Sequence, residues 1–437
     1  MIERICAGAL ALLVCGVGLC CGASARAADD CDTHVVRANL VRCALSASYA
    51  MQRARHGIEV QQARKRAVSP WLPSNPALAL SGGHRKAMGS LSGGAQATNW
   101  YATLSQEVEI AGQRSARRDA AGAAASAQTY GSAGTAREVS AGAWRAYFEA
   151  LAAREAVETA LRLERAFAHI SEAAQAAAAR GLLSGVDADV AELTVVKLSH
   201  TRIEAQRRWD AALATLSSLL GRDPAGAASI GPSVEGELTP LTNASALSNE
   251  LLNEAVEQRP ELGEARAMRE SYEHSATALR RARVPNLTFS VFAQRDGFDE
   301  RVLGGGVSLP IPLPAPLGRT HAGEIAEQHA LARQASAALD GSRRQVRLEV
   351  ALAQQAFETA KAQAALYSAD RLARAERGLT SIAAELGAGR LAVSSAVLAQ
   401  QTLIDFLRAQ IEAKLALCLS SVELARAAAL PLEGDAL

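Results

Sequence analysis

The chain has 437 residues, 49% of them apolar and 21% charged, with 46 Lys+Arg against 45 Asp+Glu, which excludes a disordered polyelectrolyte and a strongly basic nucleic-acid binder. Aromatic residues supply only 4%, whereas Ala alone supplies roughly a fifth. Side chains that small build thin cores, so the composition favours long helices packed closely in layers over one thick globular core.

The first element is an address. Arg4 precedes an apolar run over residues 5–22 and then Ala25-Arg26-Ala27, a small-x-small cleavage pattern, so the expected mature chain starts at Ala28. Lipidation is the weaker alternative, because Val14, Leu19 and Cys20 stand before Cys15, Cys20 and Cys21, where a small residue is needed. Cys31, Cys43 and Cys418 remain. Twelve residues along one helix separate two sulfurs by about 18 Å, so Cys31 and Cys43 can bridge only if Cys31 lies before the first helix and folds back. Cys418 shares a seven-residue spacing with Val397, Ile404 and Ile411, which predicts burial as a small hydrophobe. No later apolar run reaches the roughly 20 residues of a membrane-spanning helix.

Short alternating segments follow. Residues 76–82 show only Leu78 and Leu80 in alternation, and the Gly- and Ser-rich residues 83–98 read as a loop. In residues 100–110, Trp100, Ala102, Leu104, Val108 and Ile110, with Gln106 the exception, alternate with Tyr101, Thr103, Ser105, Glu107 and Glu109, which predicts a two-faced strand. Residues 112–180 hold no proline and are rich in Ala, Arg, Glu and Gln, enough for one helix of about 100 Å. Glycines at 181 and 185 break it, and helical spacing resumes through Val190, Leu193, Val196 and Ile203. A connector over residues 223–248 leads into the second half. There Leu287, Phe289, Val291 and Ala293 alternate with polar residues, with Phe292 on the polar side, and Leu303, Val307, Leu309, Ile311 and Leu313 alternate with small residues and prolines. A charged loop over residues 295–301 separates the two segments; a second long helix is predicted over 318–386, with a break at 387–389 before helical spacing resumes.

The halves superimpose. Gly181 is followed ten and eleven residues later by Ala191-Glu192, and Gly389 likewise by Ala399-Gln400; Gly112 before Arg114 and Gly318 before Arg319 open the long helices. The same order of elements and nearly equal offsets predict a tandem duplication: 1–27 signal peptide, 28–222 first repeat, 223–248 connector, 249–430 second repeat, 431–437 tail. Strands of nine to eleven residues suit a tilted transmembrane β-strand, and unpaired backbone groups in lipid then force closure into a barrel that four strands cannot form alone. A soluble sheet packed on helices shows the same alternation, so periodicity does not separate the two.

The order of elements resembles the TolC family of outer-membrane efflux channels across nearly the whole mature chain. The resemblance is carried by Leu104-Ser105-Gln106-Glu107-Val108-Glu109 running into Gly112-Gln113-Arg114, by Arg259-Pro260-Glu261-Leu262, by Gly306-Val307-Ser308-Leu309-Pro310-Ile311-Pro312-Leu313, and by the spacing of Gly181, Ser184, Asp187 and Ala191-Glu192. It is most similar to the heavy-metal, CzcC-type branch. The resemblance implies a mainly α fold with a small β part, in which long helical hairpins form a periplasmic α-barrel and each subunit gives four strands to a trimeric twelve-stranded transmembrane β-barrel. It also implies an outer-membrane location with a periplasmic extension, a periplasmic adaptor and an inner-membrane pump of the resistance-nodulation-division type, and a passive conduit for metal ions or small toxic compounds. Ser395-Ala396 departs from the family pattern, which often places an acidic residue in the second turn.

A conduit works through geometry and through rings of side chains repeated by symmetry. Gly181, Ser184, Gly389 and Leu391 are the candidates for adaptor docking, with turn punctuation as the plain alternative; Arg180, Asp187, Asp189, Glu385 and Arg390 are the candidate aperture charges, with solvated helix ends as theirs. The eight histidines show no H-x-x-x-H pair; His321 and His329 fall eight apart on a predicted helix and read as surface residues, so neither a metal site nor a cofactor is expected. Gly304-Gly305-Gly306 lies in a strand, away from any phosphate-cradle context. Three other readings compete. A periplasmic adaptor carries one hairpin rather than two related by duplication, an enzyme would need a nucleophile, base and orienting group that no motif supplies, and a type I secretion channel shares the architecture with a different cargo.

Overall fold

The computed structural model describes residues 31, 34–86, 96–222, 233–241, 249–297, 300–387 and 393–432. In the first half, β1 (His34–Val35) leads to α1 (Leu40–Ala47) and α2 (Tyr49–Ala67), then to the strand pair β2 (Ala77–Lys86) and β3 (Gln96–Val108), then to the hairpin α3 (Gln113–Ala179) and α4 (Gly185–Leu219). After β4 (Ser233–Val234) the order recurs as α5 (Asn249–Gln258), α6 (Pro260–Arg281), β5 (Leu287–Arg295), β6 (Arg301–Ser308), α7 (Ala322–Ala365), α8 (Ala369–Gly387) and α9 (Val393–Ala427). Two of the helix bounds recur as well. α4 and α9 are each 35 residues long, and one spacing carries Gly185 to Val393 and Leu219 to Ala427.

The chain forms two compact units, each drawing on both repeats. The hairpin unit comprises the described parts of Met1–Gln52, Thr135–Gln258 and Val346–Leu437, and the sheet unit those of Arg53–Gly134 and Arg259–Gln345. The long Ala-rich α3 forms as predicted and contributes to both.

The core of the hairpin unit is where the scarce aromatic volume is spent. Trp144, Tyr147 and Phe148 of α3 are fully buried with Leu40 and Val41 of α1, Leu216 of α4 and Val422 of α9. Trp144 stacks on Phe148 at 5.5 Å between centroids and meets Tyr147 edge-on at 5.7 Å. Cys31 lies before α1 and bridges Cys43 on that helix with 5.6 Å between Cα atoms. Cys418 is buried in the same core, where desolvation pushes its thiol up to about 12. At pH 8 its thiolate is therefore expected to react with a maleimide about a hundred to a thousand times more slowly than an open cysteine. Timed labelling of the folded and the denatured chain measures the ratio. With the folded-state pKa raised, burial of this thiol stabilises the fold fully below the ordinary thiol range and progressively less as pH rises from about 9 toward 12.

Part of the connector is strapped onto this core. Tyr147 donates its hydroxyl to the Glu235 carbonyl at 2.6 Å, Arg154 donates to the carbonyls of Val234 and Gly236, and Arg37 donates to Thr239 Oγ1 at 2.8 Å. Burial raises the Tyr147 phenol above its ordinary value, so it stays a neutral donor. Gly236 sits at φ +144, and a Cβ there would lie 2.2 Å from the Tyr147 hydroxyl. Gly236→Ala is expected to cost about 1–3 kcal/mol from backbone strain alone, read as a lower thermal midpoint.

One expectation fails in this unit. Instead of one helix over 318–386, the chain breaks between α7 and α8. Leu366 and Tyr367 close the last turn of α7 with N–H donations to the Gln363 and Ala364 carbonyls, and the Ser368 carbonyl accepts the N–H groups of Arg371 and Leu372 to start α8. Ser368-Ala369-Asp370 is a helix-start sequence, and Arg371 returns to donate to the Leu366 carbonyl at 2.6 Å. Tyr367 then packs on Phe406 at 5.2 Å between centroids.

In the sheet unit, the four strands pair antiparallel in the order β2-β3-β5-β6, so the two repeats meet at β3 and β5. Buried Gln113, opening α3, clasps that meeting point: its amide donates to the Val284 carbonyl and to Asn286 Oδ1, and accepts from the Ala111 N–H. Two strand boundaries differ from expectation. β2 runs on through Gly82 and Gly83, which pair with Trp100 and Asn99, so residues 83–86 and 96–98 are strand rather than loop, while 87–95 lie outside the described residues. β6 stops at Ser308, because Pro310, Pro312 and Pro314 have no N–H to give a ladder.

Candidate functional site

The register divides the side chains of the sheet cleanly. On one face Leu78, Leu104 and Val291 stand in one row, and Leu80, Ala102, Ala293 and Leu303 in the next. On the other face the rows are Ser81, Tyr101, Gln294 and Val302, and Ala79, Thr103, Phe292 and Gly304. Phe292, the aromatic residue on the polar side, lies over Gly304, where a Cβ would come within 2.4 Å of its ring. The glycine run in β6 thus makes room for a ring on the neighbouring strand, a relation that alternation within one strand cannot reveal.

The apolar face is bare. Leu80 is 72% exposed and Leu303 80%, and Leu104, Phe289, Val291 and Val307 are exposed as well. Both outer strands, β2 and β6, also present an unpaired ladder edge among the described residues. A soluble sheet packed on helices would cover this face, so that alternative is corrected by the exposure of its leucines and valines.

The turn of the first hairpin lies in the hairpin unit. Gly181 takes φ +72, its N–H donates to the Ala178 carbonyl and the Leu182 N–H to the Ala177 carbonyl, a Schellman close for α3. A Cβ on Gly181 would meet nothing within 4 Å, so backbone conformation rather than crowding within the chain demands the glycine. Ser184 caps α4: its Oγ accepts the Asp187 N–H at 3.1 Å and donates to Asp187 Oδ2 at 2.7 Å. Arg180 is exposed and donates to the Ala176 carbonyl at 3.0 Å, Asp189 is exposed on the first turns of α4, and Glu385 is half-buried on α8. Gly389, Arg390 and Leu391 lie outside the described residues. His321 is not on the helix with His329; it precedes α7 at φ +53, its carbonyl accepts the Ile325 N–H, and its Nδ1 contacts the Glu324 carboxylate.

Between α3, α4 and α9 the hairpin unit also holds a groove of about 740 Å³ whose lining includes Glu204, Arg207, Arg208, Arg408 and Glu412. Hydrogen bonding to Arg207, with further help from Arg208, holds the Glu204 carboxyl down at about 2. Among the described residues no three His, Cys, Asp or Glu side chains converge as a metal site, and no helix is long and apolar enough to cross a membrane.

Comparison with known proteins fits the sheet and the hairpins. Over 90% of this chain and 91% of the other, the structure is similar to that of CusC, described for its transmembrane channel formation, with a TM-score of 0.72 and 16% identity. The fold is that of the TolC-like outer-membrane channels. The same TolC-like architecture is shared with the outer-membrane protein VceC of Vibrio cholerae, at a TM-score of 0.69, 18% identity and coverage of 91% and 97%. It is shared also with the open state of the MtrE outer-membrane channel of Neisseria gonorrhoeae, at 0.69, 17% and coverage of 92% and 90%. Residues 40–222, the helical and strand elements of the first repeat, match the family described as outer membrane efflux protein. No curated protein sequence matches the chain.

Proposed function

We propose that three copies of this chain close a twelve-stranded barrel in the outer membrane and form the exit channel of an efflux assembly. The observation that carries this reading is the sheet with one bare apolar face and two open edges. Chain direction supports it: β2 and β6 run oppositely at the two edges, so β6 of one copy meets β2 of the next in the antiparallel sense used throughout the sheet. Two copies would give eight strands, whose interior side chains fill the barrel, whereas three give twelve and leave a water path lined by the polar face.

The match of the first repeat to the efflux family, together with the TolC-like fold, supports a conduit that works with a periplasmic adaptor and an inner-membrane pump of the resistance-nodulation-division type. In that assembly Gly181, Ser184, Gly389 and Leu391 present the docking turns, and Arg180, Asp187, Asp189, Glu385 and Arg390 ring the periplasmic aperture. The cargo is metal ions or small toxic compounds, with the heavy-metal branch tested by the metal tolerance of a deletion strain; unchanged tolerance to cobalt, zinc, cadmium, copper and silver removes that branch. The channel itself is tested by fractionation and planar-bilayer recording. Heat-resistant trimers in the outer-membrane fraction that conduct ions are expected, and a monomeric, water-soluble product would refute the reading.

A further inference from the structure

The helix-proximal end of the sheet carries a charge that the chain as a whole does not. The four strand–helix junctions, residues 64–72, 107–119, 280–286 and 317–324, hold ten Lys and Arg (Arg64, Lys65, Arg66, Arg114, Arg117, Arg118, Arg280, Arg281, Arg283, Arg319) against four acids (Glu107, Glu109, Asp119, Glu324). That excess of six compares with a net charge of +1 for all 437 residues. At the other end of the strands, residues 84–86 and 295–301 hold four basic and three acidic side chains, so the asymmetry belongs to one end.

Some of these cations are structural. Arg117 pairs with Glu109 at 2.6 Å, Arg319 with Glu324 at 2.6 Å, Arg281 donates to the Gly112 carbonyl at 2.8 Å, and Arg283 to the Thr320 carbonyl at 2.8 Å. Arg64, Lys65, Arg66 and Arg118 are exposed and make no ion pair among the described residues. Every junction also exposes an apolar residue: Trp71 and Leu72, Ile110, Val284 and Leu317. Trp71 is 83% exposed, and the Arg114 guanidinium lies over its ring at 4.4 Å. Water on all sides would favour the charges and penalise the apolar groups. A bilayer interface satisfies both, because an indole seats at headgroup level while cations meet lipid phosphates.

We infer that this belt binds the headgroups of anionic phospholipids in the leaflet on the helix side of the barrel. The inference rests on the pore reading, since it needs the apolar face of the sheet in lipid, and the belt then continues that face at the membrane boundary. Each cation near an anionic surface contributes about 1 kcal/mol, roughly fivefold in affinity.

The test uses full-chain trimers reconstituted from phosphatidylcholine with and without phosphatidylglycerol. Lipid retained by the trimer is read by native mass spectrometry and conductance is recorded in phosphatidylcholine alone. The expected result is preferential retention of phosphatidylglycerol by the wild type, a loss of at least about tenfold in that preference for Arg64→Gln/Lys65→Gln/Arg66→Gln, a smaller loss for Trp71→Ala, and unchanged conductance for both. Equal retention of the two lipids, or a preference untouched by the triple variant, overturns the belt while leaving a conducting pore intact. Displacement of phosphatidylglycerol by inorganic phosphate overturns it in favour of a free-anion site, and a shift in ion selectivity without a change in lipid preference places the charges in the lumen instead. A wild type that fails to conduct in phosphatidylcholine removes the pore reading, and the belt goes with it.

Discussion

Val291→Arg is expected to abolish the outer-membrane trimer. Val291 stands at the centre of β5, on the apolar face beside Leu104 and opposite Gly305. An arginine on the lipid face of a barrel at mid-membrane depth costs about 2–4 kcal/mol, and threefold repetition multiplies that cost within one barrel. Gln294→Arg, three residues along the same strand, projects from the polar face beside Tyr101 and is expected to assemble normally. Heat-modifiable mobility on denaturing gels and the share of protein in the outer-membrane fraction measure both variants. Equal tolerance of the two arginines would mean that neither face meets lipid. Equal loss would mean that the strand tolerates no charge at all, and the division of faces would carry no functional meaning.

The features legible in the sequence were those whose cause is local. Helix α3 was visible because 67 residues without proline, dominated by strong helix formers, leave few alternatives. The recurring order of elements was legible because glycine breaks and helix starts recur at nearly equal offsets. The cap at the first turn is just as local, yet the sequence marks Ser184 only as a docking or turn residue; its side chain reaches only as far as Asp187, and Gly181 answers to its own φ. Features set by distant partners stayed hidden. Gly83 looks like a loop residue until β3 supplies its ladder, and the break at Ser368 interrupts a stretch whose composition favours helix throughout. The strap of residues 233–241 has no periodicity of its own; it is ordered by Arg37, Tyr147 and Arg154, each at least 80 positions away. The junction charges carry no local signal of their own, and they became a belt only when the sheet placed four separate segments at one end of its strands.

Trp144→Ala is expected to cause the largest loss of stability of any single truncation in the hairpin unit, about 3–5 kcal/mol. In a chain where Ala supplies so much of the packing, few side chains have the volume to hold α1, α3, α4 and α9 apart at a fixed distance. Trp144 is one of them, with 0% exposure and contacts to the Tyr147 and Phe148 rings. The Arg37 guanidinium, 5.4 Å from its ring centre, also loses its face on truncation, and Arg37 is one of the donors that strap the connector. Trp144→Phe separates volume from polarity. The indole Nε1 is buried without a hydrogen-bond partner among the described residues, so a phenyl ring removes an unsatisfied donor along with part of the volume, and the net change is expected to stay within about 1 kcal/mol. Thermal midpoints followed by far-ultraviolet circular dichroism rank the two variants, with wild type close to phenylalanine and alanine far below. If phenylalanine proved as damaging as alanine, the indole N–H would have to be bonded in solution. The ring would then act as a polar anchor for the core rather than as a spacer between Ala-rich helices.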